Sequence, residues 1–315
     1  MAVDKIDLIK RNTVEIVNDK FIPEYAKKGV AYCGYECSGE IHLGHLVTIM
    51  KLLDLQNAGV KIKILLADWH TWLNKKGDWD FIKNQVKQWE KGFKAVGLKA
   101  EIIKGSSFQT RQDYVEDILK LALKITVNRG VRAMQQVARD PENAKISQII
   151  YPLMQVVDVK ELGVNFVVSG LEQRKVYMLG VDEGKEIGLQ DAVYLSVPLI
   201  PSLKGKGKMS SSDKDSFISI RDSKEDIKKK IDKAYCKVGD VMNNPILSIL
   251  ELILFPKFGK ISIKRDEKFG GSLELNEYDE LEKKFEAGEI HAMDLKNSVS
   301  EYLEMLIEPM RKKWK

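Results

Sequence analysis

The sequence predicts an α/β fold: a doubly wound parallel sheet with flanking helices, followed by an all-helical region. Three observations carry that reading. Between residues 30 and 200, short apolar runs alternate with helix-period stretches, as repeated βαβ units require. The run Lys61–Ala67 is mostly apolar on both faces, as in a buried parallel strand. After Asp222 only helical patterning remains.

Residues 1–20 read as an amphipathic helix, with Ile6, Ile9, Val14 and Val17 at helical spacing. Val30–Glu36 reads as a strand ending in a Ser38-Gly39 turn, followed by a helix from His42 to about Ala58 that Gly59 stops. Lys61–Ala67 and Ala100–Lys104 are further strands, with a helix over Phe81–Val96 between them. Residues 110–146 are helical and charged. Tyr151–Leu162 is a helix opened by Pro152 in its first turn. Asn165–Val168 and Ala192–Val197 supply more strands. Ser202–Asp215 has no apolar period and reads as a mobile basic loop. Helices then cover Ser223–Tyr235, Pro245–Phe255, Tyr278–Ala287 and Asp294–Arg311. The expected domains are 1–201 and 222–315, joined by a loop and linker over 202–221.

A chain of 315 residues suits two domains, and 44% hydrophobic with 31% charged residues argues against disorder and coiled coil. No stretch approaches the roughly 18–20 apolar residues of a membrane span. The N-terminus lacks the layout of a secretory signal, and three cysteines are too few for a disulfide scaffold, so a cytoplasmic setting is expected. The net charge, 51 − 46 = +5, permits a nucleic-acid partner without requiring one.

Two motifs carry chemistry. His42-Leu43-Gly44-His45 follows a strand and turn at the start of a helix, where two imidazoles at i and i+3 share a side. Backbone N–H groups and the positive dipole end suit polyphosphate there, and Gly44 lets a base approach the backbone. The bland alternative is a pair of solvated histidines at a helix start. Zinc held by Cys33, Cys37, His42 and His45 is disfavoured, because only four residues separate Cys37 from His42. The second motif is Lys208-Met209-Ser210-Ser211-Ser212, behind Lys204-Gly205-Lys206-Gly207; alone it reads equally as a solvated loop.

Together, about 165 residues apart, the HLGH and KMSSS motifs resemble the two signatures of class I aminoacyl-tRNA synthetases. Ala31–Gly39, Leu65–Asn74, Tyr151–Leu162 and Gly170–Lys175 resemble the archaeal/eukaryotic-type tyrosyl-tRNA synthetase family, and the likeness extends to Lys296-Asn297. It implies a Rossmann-like catalytic domain with an all-helical anticodon-binding domain. It also implies ATP-dependent activation of L-tyrosine followed by transfer to tRNA(Tyr), in a homodimer that pairs through residues 110–146.

On this resemblance His42, His45, Lys208, Ser210 and Ser211 are catalytic, and Gly34, Gly44, Lys204, Lys206 and Met209 join them around ATP. Magnesium enters with ATP, without a dedicated protein cage. Ser211 stands where the generic class I loop has a second lysine, so Lys204, Lys206 or a metal ion has to replace that charge. The family commonly has proline at the position of Cys37, and losing its fixed φ would loosen the turn before HLGH.

Periodicity outlines the amino-acid pocket. Tyr32, Gly34 and Glu36 share one strand face, and Tyr151, Gln155, Asp158 and Leu162 form one stripe on an otherwise apolar helix. A polar seam in a buried helix must face something polar, either a ligand or an internal network. By resemblance, Tyr32 and Asp158 bond the substrate phenol, and Tyr151, Gln155 and Gln173 hold its ammonium group. Glu36 belongs to the same pocket, with Leu65, His70 and Phe108 lining the ring. For tRNA, the resemblance assigns base stacking to Phe269 and base reading to His291 and Asp294; Arg132, Arg174 and Lys175 are assigned to the acceptor stem. The nearest rival is a tryptophanyl enzyme, and a second is a nucleotidyltransferase with HxGH chemistry. A phenol suits the Tyr32/Asp158 pair better than an indole, whose N–H only donates.

Overall fold

A computed structural model describes residues 4–137, 143, 145–211 and 213–314, the side chain of Phe269 excepted. Ser212, the Phe269 ring and residues 138–142 and 144 of the expected helical stretch lie outside the described residues. The chain forms two compact units. One comprises Met1–Ser38, Lys51–Glu90 and Leu98–Pro198; the other comprises Gly39–Met50, Lys91–Gly97 and Leu199–Lys315.

The elements follow in the order α1 (Lys5–Lys10), β1 (Glu15–Val17), α2 (Ile22–Lys28), β2 (Val30–Tyr35), α3 (Leu43–Asn57), β3 (Lys61–Leu66), α4 (Asp68–Leu73), α5 (Trp79–Val96) and β4 (Ala100–Lys104). Next come α6 (Gln112–Ala122), α7 (Val127–Met134), α8 (Ile146–Glu161), β5 (Phe166–Gly170), α9 (Arg174–Glu183) and β6 (Val193–Val197). One six-stranded sheet results, in the order β1-β6-β5-β2-β3-β4. Every pairing is parallel except that of β1 with β6. The chain builds outward from β2 to β4, then returns to lay β5 on the other side of β2. Tyr32 lies opposite Val167 at this switch point, where open α/β sheets bind their ligands. Phe166, Val167 and Val168 are all fully buried, as a sheet covered on both faces demands.

Three expectations change in the first unit. Residues 1–20 are not one helix: Asn12 and Asn18 take left-handed conformations, and Glu15–Val17 between them extends as the edge strand β1. Pro152 does not open α8, which begins at Ile146 with the Gln148 side chain accepting the Lys145 N–H at 3.0 Å. The proline therefore sits inside the helix. The expected helix over 110–146 is interrupted after Ala122 and resumes at Val127, where Thr126 caps α7 by accepting from Arg129 N–H.

In the second unit, α10 (Lys224–Lys233) starts from a reciprocal Ser223–Asp226 capping box. Asn244 caps α11 (Pro245–Ile249), which passes through a π-helical turn, Leu250–Leu254, into α12 (Phe255–Phe258). Pro256 lacks an N–H, so the regular ladder cannot run through this point. The region is helical but not solely so. β7 (Ile261–Ile263) and β8 (Leu273–Leu275) form a two-stranded antiparallel sheet in which Ile261, Ile263 and Leu275 are buried. Three-residue strands are too short to register against a helical background. α13 (Tyr278–Glu286) and α14 (Ala292–Lys313) complete the unit.

Truncating Phe166 at the switch point leaves a ring-sized cavity. Phe166→Ala should lower the free energy of unfolding by about 3–5 kcal/mol, read as a fall in the denaturation midpoint.

Candidate active site

In the first unit the site is organised by α8, whose residues Gln148 and Tyr151–Val159 are all buried. Asp158 alone brings a carboxyl into this apolar surface. Its Oδ1 accepts from Gln109 Nε2 at 2.8 Å and from the Tyr114 hydroxyl at 2.8 Å. Its Oδ2 has no hydrogen-bond partner, although His70 Nε2, also unpartnered, stands 3.6 Å away. Burial pushes the Asp158 carboxyl up to about 7 and the His70 imidazole down to about 3, so the histidine is neutral. Gln109 Nε2 donates to His70 Nδ1 at 3.3 Å, which leaves the ring hydrogen on Nε2.

The Tyr32 hydroxyl is paired with that of Tyr177 at 3.1 Å, and burial pushes both phenols upward. Gln155 donates to Gln173 Oε1 at 3.3 Å, while Gln155 Oε1, Gln109 Oε1 and Glu172 Oε2 are buried without partners. Glu36 accepts from Asn74 Nδ2 at 2.8 Å and from the Tyr151 hydroxyl. The Tyr151 ring stands edge-on to His70, with centroids 4.5 Å apart. Leu65 and Phe108 belong with Tyr32 and Tyr114 to one buried cluster. Gly34 lies over the Tyr32 ring, where an added methyl would sit 3.5 Å from it. Unsatisfied buried polar groups cost about 1–3 kcal/mol each, and several converge here. Such a cluster fits a polar ligand with an aromatic body.

In the second unit the two motifs meet. His42 N–H donates to His45 Nδ1 at 3.2 Å, and Gly44 N–H donates to His42 Nδ1 at 3.1 Å. Each imidazole therefore accepts at Nδ1 and carries its hydrogen on Nε2 when neutral. Burial drives His42 well below its usual range and His45 down to about 4, so both are neutral donors. The rings lie 3.9 Å apart, with Phe217 against His42. The motif is clamped by Leu43 N–H to Ile218 O at 3.0 Å and Ile220 N–H to Ile41 O at 3.1 Å.

Gly44 packs closely under the His42 ring. A methyl there would meet the His42 ring at 2.9 Å and Met209 at 3.6 Å, so the glycine makes room for the histidine. Gly39 similarly admits Ser211, which would contact an added methyl at 2.5 Å. The described residues of the basic segment make hydrogen-bonded turns. Gly205 and Gly207 have positive φ, Ser202 N–H reaches Gly207 O at 2.8 Å, and Ser216 Oγ accepts from Ser210 N–H at 3.2 Å. Lys204 is paired with Asp213 at 2.6 Å, Met209 is buried, and Lys206 and Lys208 are exposed.

At the turn, the Cys37 N–H donates to Thr71 Oγ1 at 3.0 Å, a bond proline cannot make. Among the tRNA candidates, Arg132 is exposed, Arg174 is paired with Glu15 at 2.5 Å, and Lys175 donates to Gln135 at 3.3 Å. His291 Nδ1 caps α14 by accepting from Met293 N–H at 3.2 Å, with Asp294 in the first turn.

The sequence profile described as tRNA synthetases class I (W and Y) matches residues 25–308. The chain belongs to this family. It is 47% identical to the tyrosine–tRNA ligase of Methanocaldococcus jannaschii, across 99% of this chain and 100% of that one. The crystal structure of Archaeoglobus fulgidus tyrosyl-tRNA synthetase complexed with L-tyrosine superposes with a TM-score of 0.95 at 44% identity, covering 99% of each chain. Plasmodium falciparum tryptophanyl-tRNA synthetase shares the fold, with a TM-score of 0.73 at 20% identity over 98% of this chain and 86% of that one.

Sequence reasoning missed Gln109, Tyr114 and Tyr177. Tyr114 begins the buried stripe Tyr114, Ile118, Leu121 of α6, and Tyr177 lies one turn beyond Gln173. Those spacings were available as signals.

Asp158 should make binding of a phenol depend on pH. The ionised carboxylate accepts a phenolic hydrogen, so binding favours that form. Affinity for L-tyrosine should be steady above about pH 7 and fall below it, by up to about tenfold per unit. Calorimetric titration across that range checks this; a flat profile would contradict it.

Proposed function

We propose that the protein ligates L-tyrosine to tRNA(Tyr), activating the amino acid with ATP. The observation that carries this is the unpartnered Oδ2 of Asp158 in an apolar pocket that also holds the Tyr32 hydroxyl. A phenol can donate to the first and accept from the second, whereas an indole N–H only donates. The tyrosine–tRNA ligase names of the relatives support the same choice over tryptophan.

In the first half-reaction the tyrosine carboxylate attacks the α-phosphorus of ATP and expels pyrophosphate. No covalent bond to the protein is needed; positioning and charge stabilisation suffice. His42 and His45, neutral with hydrogen on Nε2, donate to the phosphoryl oxygens, and Lys208 balances the departing pyrophosphate. Lys206 is the better source of the charge that Ser211 does not supply, because Lys204 is engaged by Asp213. Magnesium accompanies ATP. Tyr151, Gln155, Gln173 and Glu36 bind the ammonium end of tyrosine, where Gln155 Oε1 is an unused acceptor.

For tRNA, Phe269, His291 and Asp294 are the proposed anticodon contacts in a C-terminal region of residues 222–315. Arg132, Arg174 and Lys175 in the region 1–201 take the acceptor stem. Homodimerisation is supported by large aliphatics exposed between α6 and α8: Leu119 is 61% exposed, Leu123 86%, Val127 65% and Ile146 75%. No helix among the described residues is long and apolar enough to cross a membrane, and a cytoplasmic location fits translation.

Pyrophosphate exchange across the amino acids tests the assignment: exchange should depend on tyrosine, and dependence on tryptophan would overturn it. His45→Ala should lower the rate of adenylate formation by about 10²–10³ with tyrosine affinity nearly unchanged. An equal loss of tyrosine binding would remove His45 from the phosphoryl role.

A further inference from the structure

Asp158 has two carboxyl oxygens, and its surroundings treat them differently. Oδ1 is held by the Tyr114 hydroxyl and by Gln109 Nε2, each at 2.8 Å, whereas Oδ2 has no hydrogen-bond partner. Two donors on one oxygen fix the rotation of the carboxyl about its Cβ–Cγ bond. They also decide which oxygen is left for a ligand. Tyr114 is itself immobile: it is fully buried, and its ring stands edge-on to Phe108 with centroids 5.5 Å apart. Its single hydroxyl hydrogen has a second acceptor within reach, Met154 O at 2.9 Å. Met154 lies inside α8, where the helix supplies its carbonyl with an N–H from four residues on. The hydroxyl hydrogen is therefore available to Asp158.

We infer that Tyr114, assisted by Gln109, is a positioning and specificity-determining residue for the amino-acid substrate, acting through Asp158 to present Oδ2 to the phenol. The inference rests on the reading that Asp158 receives that phenol. Tyr114 need not touch the substrate. Without its hydroxyl, Oδ1 keeps one donor and the carboxyl is free to turn, so either oxygen can face the pocket. Tyrosine then loses the advantage of a fixed acceptor, while phenylalanine, which never uses it, loses nothing. ATP handling does not involve this carboxyl.

Tyr114→Phe keeps the ring and removes one oxygen. In pyrophosphate exchange it should raise the KM for tyrosine about tenfold, leave kcat and the KM for ATP unchanged, and reduce the preference for tyrosine over phenylalanine by a similar factor. Gln109→Met should act in the same direction and serves if Tyr114→Phe does not fold. In an Asp158→Asn background, Tyr114→Phe should add no further loss of preference. An unchanged tyrosine KM and preference in Tyr114→Phe would overturn the inference, as would a drop in kcat accompanied by rises in both KM values. If Asp158→Asn itself keeps full preference for tyrosine, the reading of Asp158 fails and takes the inference with it. If Asp158→Asn loses that preference and Tyr114→Phe does not, only the role of Tyr114 falls.

Discussion

A carboxyl group buried in an apolar helix is the constraint around which the first unit is arranged. Asp158 is 1% exposed, and removing a carboxylate from water without partners would cost far more than any single packing gain. The fold answers with donors drawn from separate parts of the chain, Gln109 after β4 and Tyr114 on α6, both on the same oxygen. Satisfying the group on one oxygen only keeps the other as an acceptor. The compensation is incomplete in one direction, and the proposed binding function rests on that direction.

The second unit solves a different electrostatic problem. For the proposed donation to phosphoryl oxygens the two histidines need not be charged, but their tautomer must be right. Backbone N–H groups of His42 and Gly44 occupy the two Nδ1 atoms and force the hydrogen to Nε2 on both rings. Desolvation keeps them neutral, so their geometry does not depend on pH through the physiological range. Gly44 and Gly39 serve this arrangement by omission, one admitting the His42 ring and the other the Ser211 turn.

Much of this was legible in the sequence because it rests on local patterning. The five parallel strands of the sheet and most of their bounds follow from apolar runs, and the polar stripe on α8 pointed to Asp158. Three kinds of feature escaped. Asn12 and Asn18 break a helical period by adopting positive φ, a choice that tertiary pairing of β1 with β6 decides. The β7–β8 hairpin is too short to show its period. Gln109, Tyr114 and Tyr177 look like ordinary core or surface residues until the fold brings them beside Asp158 and Tyr32. The spacing of Tyr114 and Tyr177 marks each as facing inward, but nothing local says which distant group each will meet.

The turn after β2 also shows how one fold can reach rigidity by two thermodynamic routes. A proline at position 37 would stiffen the chain before folding, lowering the entropy of the unfolded ensemble. Cys37 instead leaves that ensemble unrestricted and ties the turn only in the native state, through the Thr71 hydroxyl. Its rigidity is thus enthalpic and conditional on Thr71 being in place, since Thr71 Oγ1 is itself anchored to Ala67 O at 2.7 Å. The turn that leads towards the His42–His45 motif inherits its order from α4. Loosening that short helix would therefore release a segment with which it shares no sequence proximity.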